Sequence, residues 1–354
     1  MAGDRCLIYG AYGYTGELAV RQARAFGLEP ILAGRSAEKL AALVDRHGLD
    51  LDTRVVALDD VDALTEALHD VGVVLHCAGP FSATSKPMVR ACMKAGAHYL
   101  DITGEMAVFE ACAAKDVKAK DAGVMLLPGI GFDVVPTDCM AARLKEKLPT
   151  ATHLELAFAG LGGGTSQGTM KTAVENLDQG GAVRIDGKIT PDLPGGRTRT
   201  IDFGDGKPRH AGSIPWGDVS TAFHSTQIPN IVVYMAMKPS MSRSMRMGRF
   251  VRPLLGLKPV QGFLRRRIEA GPAGPTDEQR ARSVSLIWGE ARDGDGNVVT
   301  STLRTVEGYT LTARSGLLAA KKVLEGGAKP GYQTPSTAFG ADYVLELEGS
   351  EWTS

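Results

Sequence analysis

The chain has 354 residues, a length that suits two domains and leaves room for sizeable hydrophobic cores. Hydrophobic residues make up 44% of it and charged residues 23%, as in ordinary globular proteins. Lysine plus arginine equals aspartate plus glutamate, at 40 each, so the basic excess of a nucleic-acid-binding domain is absent. We therefore expect no nucleic-acid partner.

The chain shows no targeting or membrane-spanning segment. It enters an apolar run directly after Arg5, and no window reaches the roughly 18 apolar residues of a membrane-spanning helix. The five cysteines lack the spacing of metal ligands, which favours free thiols in a reducing compartment. These features predict a cytoplasmic protein.

Residues 1–150 alternate short apolar runs with helical patterns, which is typical of a doubly wound α/β fold with a parallel sheet. Such a sheet binds ligands at the carboxyl ends of its strands, where the strand order reverses. The predicted strands are 5–11, 30–33, 53–58, 71–77, 98–102 and 124–128. The predicted helices are 14–26, 37–46, 63–69 and 86–95, the last with Pro87 in its first turn and Gly96 at its end.

From residue 151 the pattern changes to that of an α+β domain, predicted over 151–308 with a mainly antiparallel sheet. Its clearest feature is a hairpin whose strands, 283–292 and 298–306, flank a Gly-rich turn. A strand at 153–159 and a helix at 169–177 precede it. The C-terminal segment, 309–354, contains a late helix and is expected to return to the first domain.

The strongest local signal follows the first predicted strand, where glycines recur with G-x-x-G-x-x-G spacing ahead of the first helix. Glycines there permit a tight turn and let the backbone approach a pyrophosphate, which the helix N-terminus attracts. The spacing alone is common in loops, but its place between strand and helix predicts a dinucleotide-binding turn. The residues assigned to it are Gly10, Tyr12, Gly13, Tyr14, Thr15 and Gly16.

The choice of cofactor is read after the second strand, where an acid favours NAD and an arginine favours the 2′-phosphate of NADP. Arg35 stands there, followed by Ser36 and Lys39, which predicts NADP(H). A solvated helix start is the alternative interpretation. After the fourth strand, the chain is expected to pass the nicotinamide ribose at Cys77, Ala78, Gly79, Pro80 and Phe81.

Four side chains at the ends of the fifth and sixth strands are the candidate catalytic groups. Tyr99, Asp101 and Glu105 follow the fifth strand, and alternation places Tyr99 and Asp101 on the same side of it. Asp133 follows the sixth strand and is a candidate for orienting substrate or cofactor. The competing interpretation makes Asp101 and Glu105 caps of the next helix.

In the second domain, a Gly-rich stretch precedes the predicted helix at 169–177. Ser166, Gly168 and Thr169 are candidates to bind a substrate carbonyl or carboxylate, and a flexible turn is the alternative. Tyr234 and Lys238 match the Y-x-x-x-K pattern of short-chain dehydrogenases, but they lie in a strand-like run, so we reject that site. Residues 293–297 resemble a calcium loop without its essential glycine and glutamate. The histidines show no metal spacing, and no metal is predicted.

One segment, from Met241 to Arg267, is basic and carries apolar residues between its arginines, with no acidic residue. Such a segment can lie on an anionic membrane surface or meet the phosphates of a carrier-bound substrate. A solvated lid or a helix that contacts another subunit is the alternative.

Taken together, these motifs resemble the saccharopine dehydrogenase-like reductases, and within them the trans-acting enoyl reductases of lipid synthesis. The resemblance covers nearly the whole chain and is weakest at about 178–280. It implies a Rossmann-type fold with a second domain, NADPH binding at the glycine turn and Arg35, and reduction of a C=C or C=N bond. The segments that carry the resemblance are residues 9–16, 32–39, 74–81, 91–105, 128–138, 306–313 and 331–340.

The leading hypothesis is an NADPH-dependent oxidoreductase that reduces an activated, enoyl-type double bond of a hydrophobic or acyl substrate. An imine or carbonyl reductase of the saccharopine type is the alternative within enzymes. A non-catalytic NADP-bound scaffold and a lipid-surface protein are the alternatives outside them. The expected partners are a small-molecule or carrier-bound acyl substrate, a membrane surface, and further copies of the chain.

Overall fold

A computed structural model describes residues 3–175, 180–247 and 258–354. The chain divides into two compact units, each discontinuous in sequence: Met1–Val135 with Tyr309–Phe339, and Pro136–Gly308 with Gly340–Ser354. The predicted boundary at residue 150 is too late. Helix Val135–Lys147 belongs almost wholly to the second unit, because its Met140 and Leu144 side chains pack against Gly289 of the second sheet.

The first unit is built on a seven-stranded sheet in which every pairing is parallel. Its strands are β1 (Arg5–Tyr9), β2 (Ile31–Gly34), β3 (Thr53–Val55), β4 (Val71–His76), β5 (His98–Asp101), β6 (Met125–Leu127) and β15 (Gly331–Tyr332). Their order is β15-β6-β5-β4-β1-β2-β3, so the order reverses between β1 and β4. The predicted parallel α/β fold is confirmed, and ligand binding is expected at the carboxyl ends near β1 and β4.

Helices join successive strands of this sheet. They are α1 (Tyr14–Gln22), α2 (Ala37–His47), α3 (Val61–Glu66), α4 (Phe81–Ala95), α5 (Met106–Ala113) and α6 (Asp116–Asp121), with α13 (Gly308–Lys322) and α14 (Pro335–Phe339) from the C-terminal part. The predicted start of α4 near residue 86 is wrong. The helix begins at Phe81, because the distant Glu105 carboxylate accepts hydrogen bonds from its first N–H groups, and Pro87 lies inside it.

Both faces of the first sheet are buried, as expected for parallel strands that read as continuous apolar runs. On one face Leu7 and Val74 belong to a buried cluster that includes Met88 of α4. On the other face Leu75 lies against α13, where a Cβ atom on Gly316 would come within 2.9 Å of its Cδ1 atom. The close packing fixes the strand ends that carry the candidate site.

The second unit holds a nine-stranded sheet in which only β7 and β12 pair in parallel, which confirms a mainly antiparallel α+β domain. Its strands are β7 (His153–Leu161), β8 (Gly181–Ile185), β9 (Lys188–Asp192), β10 (Thr198–Ile201), β11 (Arg209–Ser213), β12 (Asn230–Ala236), β13 (Val284–Arg292), β14 (Val298–Val306) and β16 (Glu351–Trp352). Its helices are α7 (Val135–Lys147), α8 (Gln167–Glu175), α9 (Asp218–Thr226), α10 (Pro239–Met247), α11 (Lys258–Glu269) and α12 (Asp277–Ala281). The predicted hairpin is the β13–β14 pair.

The C-terminal segment divides between the two units. Strand β15 pairs with β6, so residues 309–339 do return to the first unit. Residues 340–354 do not, because β16 pairs with β14 at the edge of the second sheet. The prediction that all of 309–354 returns is thus corrected for its last part.

None of the helices in the described ranges is both long and apolar enough to cross a membrane. The five cysteines are unpaired, and four of them are buried.

Candidate functional site

The glycine turn between β1 and α1 brings the backbone close to β4. Gly10 adopts a φ of +81°, and a Cβ atom there would lie 2.9 Å from the Cβ atom of Ala78. A Cβ atom on Gly16 would lie 2.2 Å from the carbonyl oxygen of Gly10. The turn therefore leaves no room for side chains on its inner side, as a turn that approaches a pyrophosphate requires.

Helix α1 begins at this turn without a side-chain cap. Its N-cap residue is Gly13, which has no side chain, whereas Ser36 caps α2 with its hydroxyl. An uncapped helix N-terminus presents N–H groups and a positive dipole end to an anion. Tyr14 packs edge-on against Tyr309 of α13, at 5.1 Å between ring centroids, and Thr15 is half-buried in the same turn.

The residues after β2 include two cations, Arg35 and Lys39, and the position directly after the strand holds no acid. Arg35 is exposed and makes no ion pair within the described part of the chain. Its backbone N–H donates to the Tyr12 hydroxyl at 3.2 Å, and Lys39 Nζ lies 5.8 Å from the centre of the Tyr12 ring. Tyr12 thus ties the glycine turn to this cationic corner, where a 2′-phosphate would find the charge that it requires. Ser36 caps α2 by accepting the Lys39 N–H at 3.3 Å.

The segment 77–81 closes the same edge after β4. Cys77 donates its N–H to the Tyr9 carbonyl at 2.8 Å, and burial raises the pKa of its thiol, so it is not an activated nucleophile. Ala78 lies under the glycine turn, and Gly79 and Pro80 lead into α4. Phe81 is 8% exposed, with its ring against His76.

Asp101 is a fully buried carboxylate that ties together the loops after β5 and β6. Its Oδ1 atom accepts hydrogen bonds from the N–H groups of Thr103 and Gly129, both at 2.9 Å, and its Oδ2 atom accepts from the Tyr99 hydroxyl. Burial raises the pKa of Asp101 to about 6 and raises that of Tyr99 as well. The contacts favour a positioning role for this pair.

Glu105 caps the helix before it and not the one after it. Its two carboxylate oxygens accept from the N–H groups of Phe81 and Ser82 at 2.8 Å each. The loop after β5 is thereby fastened to the start of α4. The carboxyl ends of β4, β5 and β6 are held together by Asp101 and Glu105.

Asp133 differs from these two acids. It is only partly buried and, in the described ranges, forms no hydrogen bond or ion pair through its carboxylate. Gly104 lies beside it, since a Cβ atom on Gly104 would come within 2.5 Å of the Asp133 Oδ2 atom. Burial raises the pKa of Asp133 to about 6.

Reasoning from sequence missed His76, the last residue of β4. It is fully buried between Tyr9, Phe81 and Tyr99, and neither ring nitrogen has a hydrogen-bond partner within the described residues. Burial lowers its pKa to about 3, so the ring is neutral near pH 7. The one signal in the sequence is a histidine at the end of an otherwise apolar strand.

In the second unit, Ser166 caps helix α8. Its Oγ atom accepts the Thr169 N–H at 3.2 Å, and its hydroxyl also bonds the Thr169 hydroxyl at 3.2 Å. The segment is a helix start, with Gly168 in its first turn, and both hydroxyls are engaged there. A role in binding substrate stays a prediction.

Of the motifs rejected from sequence, the Y-x-x-x-K pattern begins on a strand. Tyr234 lies within strand β12, so the helix that Y-x-x-x-K needs is absent there. In residues 3–175, 180–247 and 258–354, no three His, Cys, Asp or Glu side chains gather as a metal ion would require. Within the basic segment, α10 and residues 258–267 of α11 are helical, and residues 248–257 lie outside the described residues.

A family profile described as the saccharopine dehydrogenase NADP binding domain matches residues 6–127, from β1 to β6. This part of the first unit is similar to the NADP-binding domain of saccharopine dehydrogenase. Its glycine turn and Arg35 fit NADP(H), and NADP(H) is its cofactor.

Three relatives have names that point to redox chemistry or to lipid. A human saccharopine dehydrogenase-like oxidoreductase is 29% identical, over 40% of this chain and 37% of the relative. A lipid droplet localized protein of Caenorhabditis elegans is 30% identical, over 50% and 47%. A trans-acting enoyl reductase of Mycobacterium ulcerans (strain Agy99) is 34% identical, over 44% and 38%. The chain spans less than half the length of these relatives.

The fold also matches a solved structure along its whole length. Apo saccharopine dehydrogenase (L-Glu forming) from Saccharomyces cerevisiae superposes with a TM-score of 0.64, covering 99% of this chain and 100% of that one. Sequence identity is 14%, so the match establishes a shared fold and no shared substrate.

Proposed function

We propose that the protein is an NADPH-dependent reductase of an activated, enoyl-type double bond in a hydrophobic or acyl substrate. The observation that carries the proposal is the pairing of the glycine turn with Arg35 at the carboxyl edge of a saccharopine dehydrogenase-type NADP-binding domain. When bound, NADPH supplies a hydride. The enoyl reductase from Mycobacterium ulcerans, at 34% identity, favours a C=C acceptor.

In this proposal, the residues of the chain position the site. Asp101 and Tyr99 hold the loops after β5 and β6, and Glu105 holds the start of α4, so that three strand ends present a fixed edge. Preorganised backbone of this kind lowers the entropic cost of aligning a reactant with a cofactor.

The experiment follows NADPH oxidation with α,β-unsaturated acyl thioesters of N-acetylcysteamine, from short to long acyl chains. We expect oxidation of one NADPH per saturated thioester formed, faster with the longer chains. Imines formed from a ketone and an amine, and the ketones alone, are tested in parallel. Turnover of those substrates only would establish the C=N or C=O alternative. Tight NADPH binding without turnover of any substrate would favour a non-catalytic scaffold.

Two exposed helices support a second proposal, peripheral contact with an anionic lipid surface. Met247 on α10 is 73% exposed and Phe263 on α11 is 63% exposed, with Arg243 and Arg266 exposed on the same helices. No aspartate or glutamate occurs between Asp218 and Glu269. Apolar side chains among unopposed arginines suit the boundary between lipid headgroups and acyl chains.

Co-sedimentation with vesicles tests the second proposal. We expect binding to vesicles of phosphatidylserine and phosphatidylcholine, and little binding to phosphatidylcholine alone. Replacing Arg243 and Arg246 with serine should weaken binding roughly 10- to 30-fold, at about 1 kcal/mol per arginine near the surface. Val117→Gln, a change at an exposed apolar residue of α6, is the control and should bind like wild type. Equal binding to both vesicle types would contradict the proposal.

A further inference from the structure

Asp133 lies on the half of the first sheet's carboxyl edge that β4, β5 and β6 form. It follows β6 at the carboxyl edge of the first sheet, beside Gly104 in the loop after β5. Strands β4, β5 and β6 are neighbours in the sheet, and segment 77–81 follows β4. Asp133 therefore belongs to the same half of the edge as the segment expected to pass the nicotinamide ribose.

Of the three acids at this edge, only Asp133 has a carboxyl group that is available for chemistry. Both oxygens of Asp101 accept hydrogen bonds and its side chain is fully buried. Both oxygens of Glu105 accept backbone N–H groups of α4. Asp133 is partly exposed, and its carboxylate makes no hydrogen bond within the described part of the chain. An unengaged acid costs free energy when ionised, so a structural role does not explain it.

The loop that carries Asp133 is held in place from both sides. The Gly129 N–H donates to Asp101 Oδ1 at 2.9 Å, and the Ile130 N–H donates to the Asp101 carbonyl at 2.7 Å. On the other side, the Phe132 N–H donates to Thr312 Oγ1 of α13 at 2.9 Å. A side chain at Gly104 would displace the Asp133 carboxyl. The position of this acid is thus determined by its neighbours.

The surroundings keep Asp133 protonated to a higher pH than usual. Burial alone raises its pKa to about 6, and no charged side chain adds to the shift. The titratable groups on the elements around it are Asp101 at the end of β5 and Glu105 on the loop after β5, with Tyr309, Arg314, Lys321 and Lys322 on α13. A proton is held below pH 6 and released above it, the range in which a general acid is most useful.

We propose that Asp133 is the proton donor of the reduction, an inference that rests on the proposed function. As a hydride forms one new C–H bond, the electron pair of the substrate double bond is left on the other carbon. The proton on Asp133 passes to that carbon and forms the second C–H bond. The carboxylate then regains a proton from solvent, so that one NADPH and one proton are consumed for each double bond.

The affinities for NADP⁺ and NADPH test whether Asp133 lies near the nicotinamide, and this test needs no substrate. The oxidised nicotinamide is positively charged and the reduced one is neutral, so an ionised Asp133 should favour NADP⁺ over NADPH. We expect the ratio of NADP⁺ affinity to NADPH affinity to rise about tenfold from pH 5 to 7 in the wild type. Titration of the 2′-phosphate cancels in this ratio, because both nucleotides carry it.

Three variants test whether the pH dependence of this affinity ratio comes from Asp133. Asp133→Asn should give a ratio that is constant with pH. Gly104→Ala should move the midpoint below pH 6, because the displaced carboxyl becomes more solvated. Asp121→Asn removes an exposed carboxylate of α6 and should match the wild type. A ratio in the wild type that does not change with pH, with both nucleotides bound, would overturn the inference alone. Failure to bind either nucleotide would overturn the proposed function with it.

A kinetic readout tests the donor role itself. With a thioester that the wild type reduces, kcat should fall as pH rises above about 6. Asp133→Asn should lower kcat by about 10²- to 10⁴-fold and leave the NADPH dissociation constant unchanged at pH 5, where Asp133 is neutral. A variant that keeps the wild-type kcat and pH profile would show that the proton comes from elsewhere.

Discussion

Replacing Asp101 with alanine is expected to lower the free energy of unfolding by about 3–5 kcal/mol at pH 7. The carboxylate accepts hydrogen bonds from Tyr99, Thr103 and Gly129, and its removal leaves three buried donors without a partner. Each such group costs roughly 1–3 kcal/mol, and the loops after β5 and β6 lose their common attachment. Urea denaturation of the two proteins measures the difference.

Asp101→Asn is the matched control for this prediction. Its amide oxygen can still accept the two backbone N–H groups, and its amide nitrogen can donate to the Tyr99 hydroxyl. Burial raises the pKa of Asp101 in the folded protein to about 6, above its unfolded value. The part of its stabilising contribution that comes from binding a proton is therefore complete below about pH 4 and is lost as pH rises through 6, while the carboxylate still accepts its three hydrogen bonds.

Asparagine has no such titration, so Asp101→Asn should gain stability relative to the wild type as pH rises from about 4 to 7. An Asp101→Ala variant as stable as Asp101→Asn at pH 7 would contradict the assigned hydrogen bonds.

Replacing Arg35 with alanine is expected to weaken NADPH binding about 100-fold, close to 2.7 kcal/mol. The guanidinium makes no ion pair in the described part of the chain, so its charge is available to the 2′-phosphate. NADH lacks that phosphate, and its affinity should change by less than about threefold. Fluorescence titration with both nucleotides gives the comparison.

Arg24→Ala is the control for the Arg35 variant. Arg24 is an exposed arginine that lines a cavity with residues preceding β1, β2 and β3, at the opposite ends of the strands from the glycine turn. It should leave both affinities unchanged. Equal losses for NADPH and NADH in Arg35→Ala would mean that Arg35 contacts a group common to the two nucleotides.

Much of the first unit could be predicted from sequence, because its determinants are local. Apolar runs of strand length separated by helical periods led to the parallel sheet, and the glycine turn lies within a few residues of its own strand and helix. Arg35 was found in the same way, from its position directly after β2. A binding turn of this kind is encoded by neighbours in the chain.

The features that could not be predicted from sequence depend on residues far apart in the chain. The start of α4 was placed too late because its cap, Glu105, is 24 residues beyond Phe81. The division of the C-terminal segment depends on the pairing of β16 with β14, which no periodicity reveals. Among the predicted catalytic acids, sequence could not separate Asp133 from Asp101, because the difference lies in hydrogen bonds made by other loops.

The central claim is that the carboxyl edge of the first sheet is an NADP(H) site. The most direct test is the pair of dissociation constants of the wild type for NADPH and NADH, measured side by side at one pH and salt concentration. We expect NADPH to bind at least about tenfold more tightly than NADH, since a 2′-phosphate gains charge-assisted hydrogen bonds. Equal affinities, or no binding of either nucleotide, would contradict it.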